Sequence, residues 1–415
     1  MENKLFQENN PKRQKLIRPL EETPEPAPAP KAFVETAGRV TAAPEVLKMS
    51  MVDVKNYIKD LPQLRACLLT ALQLELSTIP PYLCALYTIK DGSSQQAAAL
   101  VRSVAVEEML HMVLVANILN AITDPKTIKE GELLFDVKNI IPNYPTPLPG
   151  NIVPKMPPGK PAFTVNLRKF SREAIDGFCT IERPSDPDES LTNPTAFDGI
   201  GQFYQAIRWG LKHMNEKAIR EGNKNGIFTG DPKRQVTPEH YYGSGGKILK
   251  VENYEDAESA IEEIVGQGEG IDGTIAANEV MFGEGIEYAH YFKFQEIACG
   301  RMYSANDTNF QMPVKSIPTG KHFDVSWSSV FNMKENPKMK DYENNPPLLE
   351  KAKGFNRTYV QLLNNINRAV SGNPELLIEG ITVMYDLKYK ALELLNIPLG
   401  NGECAGPTFE YVDLL

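Results

Sequence analysis

Two short runs, Glu108-Met109-Leu110-His111 and Glu287-Tyr288-Ala289-His290, each set a carboxylate three residues ahead of an imidazole in a stretch that reads as helix. Residues three apart share a helix face, so each pair can hold one ion. Two such helices, joined by single Glu residues from two others, are the ligand set of a carboxylate-bridged di-iron or di-manganese bundle. The chain has only five His, and two of them stand in this pattern.

The surrounding sequence supplies the helices. Leu68, Leu72 and Leu76, with Leu69, Ala71 and Leu74, recur at three and four residues, the period of a buried helix. This stretch runs through Ile79-Pro80-Pro81-Tyr82-Leu83 to the turn signal Asp91-Gly92-Ser93-Ser94. A second helix is expected from about Gln95 to Ala121, antiparallel to the first because the connection is short. Glu75 interrupts the first apolar run. It could mark a solvent edge, but the turn lies about midway between Glu75 and Glu108, and at about 1.5 Å per residue the two carboxylates come level. A buried carboxylate needs a metal, a proton or an Arg beside it. Pro80 and Pro81 predict a kink or break near Ser77, through packing or by freeing carbonyls near a ligand. Glu107, four residues before His111, also faces inward and suits a role holding a ring nitrogen that a metal leaves free.

Residues 1–45, with Pro24, Pro26, Pro28 and Pro30 among small and acidic residues, read as a disordered tail. A metal-binding bundle is expected over 46–305, interrupted at about 123–195 by a Pro-rich, mostly irregular excursion. A third helix runs from Gly199 to about Glu221, a strand is expected over Lys247–Val251, and a fourth helix spans about Tyr254–Gly268. A fifth runs from about Glu284 to Cys299. Residues 306–415 read as a C-terminal helical extension packed on the bundle, with helices near Leu348–Ser371 and Pro374–Leu395. The fold class is therefore mainly α. On the fourth helix Ile261 and Val265 form an apolar stripe that Glu269 continues, so Glu269 is the choice for the remaining single ligand. Glu262 and Glu263 lie beside the stripe, and Gln202 offers only an amide. His213, His240 and His322 have no such partners and read as ordinary hydrogen-bonded or exposed residues.

A net charge of -9 argues against a nucleic-acid groove. No apolar run approaches the roughly 20 residues of a membrane span. The first residues lack a secretory pattern, and five scattered Cys give neither a disulfide framework nor a zinc pattern. The expected compartment is the cytoplasm.

Glu75-Leu76-Ser77-Thr78-Ile79-Pro80-Pro81-Tyr82-Leu83, Glu107-Glu108-Met109-Leu110-His111, and Gln267-Gly268-Glu269-Gly270 followed by Glu287-Tyr288-Ala289-His290-Tyr291 and Phe294 resemble the ferritin-like iminophenyl-pyruvate dimer synthase family. That family includes the violacein-pathway imine dimer synthase and relatives of chromopyrrolic acid synthase. Ile200-Gly201-Gln202-Phe203-Tyr204 and Ala405-Gly406-Pro407-Thr408-Phe409-Glu410-Tyr411 are also similar to it, over roughly residues 50–415. Gln202 departs from the Glu of the family's motif. The resemblance implies a metal-dependent oxidative enzyme of secondary metabolism. Its substrate would be a small molecule, an imine delivered by an amino-acid oxidase, and a homo-oligomer is compatible with it. Glu75, Glu108, His111, Glu269, Glu287 and His290 would hold one or two iron ions; their donor types also accept Mn or Zn. Tyr82 and Tyr204 are candidates to touch substrate or ligands, although aromatic residues on apolar faces equally suit a core. The rival expectation is a non-enzymatic ferritin-like protein that binds metal or detoxifies peroxide, which the Pro-rich excursion and C-terminal helices make a poor unit for a storage cage. A structural or partner-binding helical protein is the third reading.

Overall fold

The structure is a computed structural model that describes residues 57–129, 131–184, 196–241, 245–270, 274–278, 287–304, 306–307, 309 and 316–414. The 1–45 tail lies outside these residues. Helices dominate: α1 (Leu61–Thr88), α2 (Gln95–Ala121), α3 (Arg172–Ile181), α4 (Ile200–Arg220), α5 (Tyr254–Glu269), α6 (His290–Cys299), α7 (Pro346–Ala369) and α8 (Leu376–Leu395). The fold class is mainly α.

The α1–α2 hairpin is the frame of the molecule. Asp60 caps α1 by accepting from the Gln63 amide at 2.8 Å, with Pro62 in the first turn. The connecting turn uses Gly92 at φ 83 and Ser94 at φ 43, both left-handed. At the open end Arg65 donates to the Ile122 carbonyl at 3.1 and 2.6 Å, tying the foot of α1 to the end of α2. Helices α4 and α5 close the bundle: α4 packs on α1, α5 on α2, and α4 and α5 on each other. Helix α6 lies against α2 and α3, while α7 and α8 pair and α8 rests on α1. A continuous apolar core runs from Ile58 to Phe409.

Three expectations are corrected. Helix α1 runs unbroken through Pro80 and Pro81. Pro81 has no amide to give the Ser77 carbonyl, and Tyr144 from the Pro-rich excursion donates its hydroxyl there instead, at 2.8 Å. Residues 247–251 form no strand. Their backbone is held by side-chain amides instead: Asn117 donates to the Leu249 carbonyl at 2.9 Å, and the Val251 amide donates to Gln235 at 3.0 Å. The excursion, mostly irregular among its described residues, also carries the ten-residue helix α3, whose first turn is capped by Ser171 accepting from the Ala174 amide. The helix expected from Glu284 begins only at His290. Glu287–Tyr288 is instead a short strand, β2, paired antiparallel with β1 (Ala276–Asn278). Gly283 and Gly285 just ahead disfavour helix, and Tyr288 favours strand.

Asn117 anchors the segment after α4. Its side chain also donates to the Val236 carbonyl at 2.8 Å and accepts from the Val236 amide at 2.9 Å, fully buried. Asn117→Ala strands these backbone groups, so it should lower unfolding free energy by about 3 kcal/mol. Chemical denaturation checks this, and a loss under about 1 kcal/mol would show that water replaces the amide.

Candidate metal centre

Five side chains from distant segments converge between α1, α2 and α6. Glu75 comes from α1, Glu108 and His111 from one face of α2, and His290 from the first residue of α6. The fifth is Glu182, the residue that caps the C-terminus of α3. They form two groups, Glu75–Glu108–His111 and Glu108–Glu182–His290, in each of which the donor atoms lie within 4.8 Å of one another. Glu108 belongs to both. All five are buried, and the His111 and His290 rings stack with centroids 5.4 Å apart.

The outer contacts fix which way each imidazole faces. His111 Nε2 lies 2.8 Å from Gln267 Oε1. The Gln267 amide nitrogen is already committed, donating to the Gly245 carbonyl at 3.1 Å and to Glu263 at 3.2 Å. Its oxygen must therefore accept, and His111 Nε2 carries the proton. His290 Nε2 lies 2.8 Å from Glu107 Oε2, again an acceptor. Each ring therefore turns its Nδ1 inward toward the carboxylates, where it would offer a lone pair to a bound cation. His290 Nδ1 lies 3.0 Å from Glu108 Oε1 and 3.4 Å from Glu182 Oε2, yet it has no hydrogen-bond partner. Donors bound side by side to an ion at about 2.1 Å stand roughly 3 Å apart. A buried, unsatisfied ring nitrogen grouped with two carboxylate oxygens at that separation fits a cation.

Hydroxyl groups hold the carboxylates. Tyr82 donates to Glu182, Tyr204 donates to Glu75, and Thr78 donates to Glu108 Oε2 at 3.1 Å. Tyr82 is further packed edge-on by Phe178 of α3 at 4.6 Å, which places Glu182. Burial, followed by the charges of Glu182 and Glu75, pushes the Glu108 carboxyl well above the usual carboxylate range. A cation joining the cluster would favour the ionised form of Glu108.

Beside them lies a separate ion pair. Lys293 Nζ donates to both oxygens of Glu107 at 2.6 and 2.7 Å and to Glu287 at 3.2 Å. Burial resists ionisation of Glu107, but Lys293 and His290 outweigh it and hold its pKa at about 2. Two glycines seal this side. A Cβ on Gly245 would stand 3.0 Å from Glu107 Cγ, and one on Gly246 would stand 2.4 Å from the Gln267 amide nitrogen. A narrow apolar recess of about 20 Å³, walled by Ile181, Ile200, Ile264 and Val265, reaches Glu182 and Tyr204.

The structure thus brings together Glu75, Glu108, His111 and His290, with Tyr82 and Tyr204 as hydrogen-bond donors to carboxylates. It places Glu287 elsewhere, on a strand and against Lys293, because the residue precedes α6 and does not share a helical face with His290. Glu269 ends α5, and its side chain lies outside the described residues. Gln202 turns back to accept from the Asp198 amide at 2.8 Å. His213 stacks on Trp209, His240 is 3.0 Å from the Thr237 hydroxyl, and His322 pairs with Arg301. Glu182 was missed. Its signal was present: it continues the stripe Ile175, Phe178 at the next helical step, an acid on an apolar face as Glu75 is.

A helical bundle with a buried carboxylate–histidine cluster is the class that this geometry defines. The ferritin-like family pattern matches residues 68–299, more than half of the chain, and the chain belongs to that family. It is similar to dichlorochromopyrrolate synthase of Lentzea aerocolonigenes, with 23% identity over 341 residues. The match covers 74% of this chain but only 29% of that relative. A crystal structure of a ferritin like protein from Caulobacter vibrioides is similar at 20% identity and a TM-score of 0.46, covering 81% of this chain and 95% of that one. No helix among the described residues is long and apolar enough to cross a membrane.

Proposed function

We propose that this chain is a metal-dependent oxidative enzyme acting on a small molecule. In this reading Glu75, Glu108, His111, Glu182 and His290 hold one or two iron ions, and the substrate class is an imine derived from an amino acid. The observation that carries it is Glu108, shared by two carboxylate–histidine groups whose imidazole Nδ1 atoms both face inward. The similarity to an enzyme named as a dichlorochromopyrrolate synthase supports an enzymatic role, and the motif resemblance supports the substrate class.

Bound iron would supply one-electron chemistry with dioxygen or peroxide. The chain's own residues prepare the site for it. Tyr82, Tyr204 and Thr78 keep the carboxylates from rotating, and Gln267 and Glu107 fix the tautomers. Phe178 and Phe294, packed with Tyr82, keep water from reactive species. Joining two imines forms one carbon–carbon bond and removes two hydrogens, which the oxidant accepts.

The test is elemental analysis of the purified chain, followed by incubation of the iron-loaded protein with Trp or Phe and an amino-acid oxidase under oxygen. A product of twice the imine mass less two hydrogens, seen by mass spectrometry and lost on chelation, is expected. Bound iron without any such product would move the reading to the non-enzymatic alternative. No bound metal would end it.

A further inference from the structure

We propose that the two metal positions are unequal, and that the Glu108–Glu182–His290 position takes a divalent cation first and more tightly than Glu75–Glu108–His111. This rests on the two-metal reading above and adds an order of filling to it.

The two positions match in nearly every respect. Each has one imidazole, one carboxylate of its own, and the shared Glu108. Each private carboxylate accepts from one buried tyrosine hydroxyl, Tyr82 on Glu182 and Tyr204 on Glu75. The difference lies behind the imidazoles. His111 donates its outer N–H to a neutral amide, Gln267, at 2.8 Å. His290 donates to a carboxylate, Glu107, at the same distance. An N–H held by a carboxylate loses more of its proton's positive charge, so the opposite ring nitrogen becomes a stronger donor. Lys293 donates to both Glu107 oxygens and fixes that carboxylate in place behind the ring. The spacing points the same way. His290 Nδ1 is 3.0 and 3.4 Å from its carboxylate oxygens, whereas His111 Nδ1 is 3.5 and 3.9 Å from Glu75 and Glu108. The His290 group is closer to the spacing of a formed site and has less to reorganise.

Full-length protein stripped of metal is titrated with cobalt(II), and crystals given one equivalent are mapped by anomalous scattering at the cobalt edge. The first equivalent is expected among Glu108, Glu182 and His290, with two binding phases separated by about 10- to 100-fold. In Glu107→Gln the tight phase should weaken by about the same factor, and the first equivalent should divide between both positions. Gln267→Ala supplies a second variant should Glu107→Gln fail to fold: it should weaken the second phase alone. Equal filling in the wild type, first filling at His111, or an unchanged tight phase in Glu107→Gln overturns the inference. Two ions bound with equal affinity would leave the two-metal reading standing, whereas no cobalt binding at all would remove both.

Discussion

Lys293→Met should destabilise the fold by about 3–5 kcal/mol, the cost of removing one partner from a buried ion pair. Lys293 is 4% exposed and Glu107 is 0% exposed, so the stranded carboxylate meets neither water nor another lysine. The methionine fills the space of the lysine stem, which separates the charge effect from a packing defect. The pH response distinguishes them further. In the wild type the ion pair holds Glu107 below its unfolded value, so its contribution is present above the ordinary carboxylate range and lost as pH falls toward about 2. In the variant burial acts unopposed by Lys293 and raises the Glu107 pKa. The deficit should therefore be full at neutral pH and shrink as pH falls through that raised value. Denaturation measured at neutral and mildly acidic pH checks it, and a pH-independent deficit would assign the loss to packing.

Substitution of single ligands should sort the cluster by stoichiometry. Glu108→Ala removes the one carboxylate common to both groups, so bound metal should fall to a small residue. Glu182→Ala should cost one ion and leave the other at Glu75, Glu108 and His111. Glu287→Ala should leave the metal content unchanged, because that carboxylate touches Lys293 and neither group. Elemental analysis of the three variants beside the wild type decides the matter. Full metal in Glu108→Ala, or a loss in Glu287→Ala equal to that in Glu182→Ala, would refute the arrangement.

The hairpin half of the centre was legible because helical periodicity is a local property. Glu75 within a leucine run and the Glu108/His111 spacing on α2 needed only the 3.6-residue repeat and a short turn to be placed level with each other. The other half depended on contacts that the repeat does not encode. Glu182 ends a short helix inside a Pro-rich excursion, where the proline content masks ten residues of amphipathic sequence. Glu287 stands three before His290, yet the backbone pairs with β1 before it coils, so the shared face never forms. Gln267 lies two residues before the preferred Glu269 and presents an amide, a type set aside as a ligand; its role is to orient His111. For Glu107, the sequence indicated an inward carboxylate holding a ring nitrogen. It could not show that the ring belongs to α6, nor that a lysine 186 residues away shares it.

Glu75, Glu108, His111 and Glu182 have all been added to the growing chain while His290 still awaits 108 further additions, the difference between positions 182 and 290. At about 5–20 residues per second that gap lasts roughly 5–20 seconds. An ion captured in the interval meets the hairpin and the excursion without their second imidazole. A cation held by both groups would find its last ligand only when α6 arrives, and would then act as a late clasp between early and late segments of the bundle.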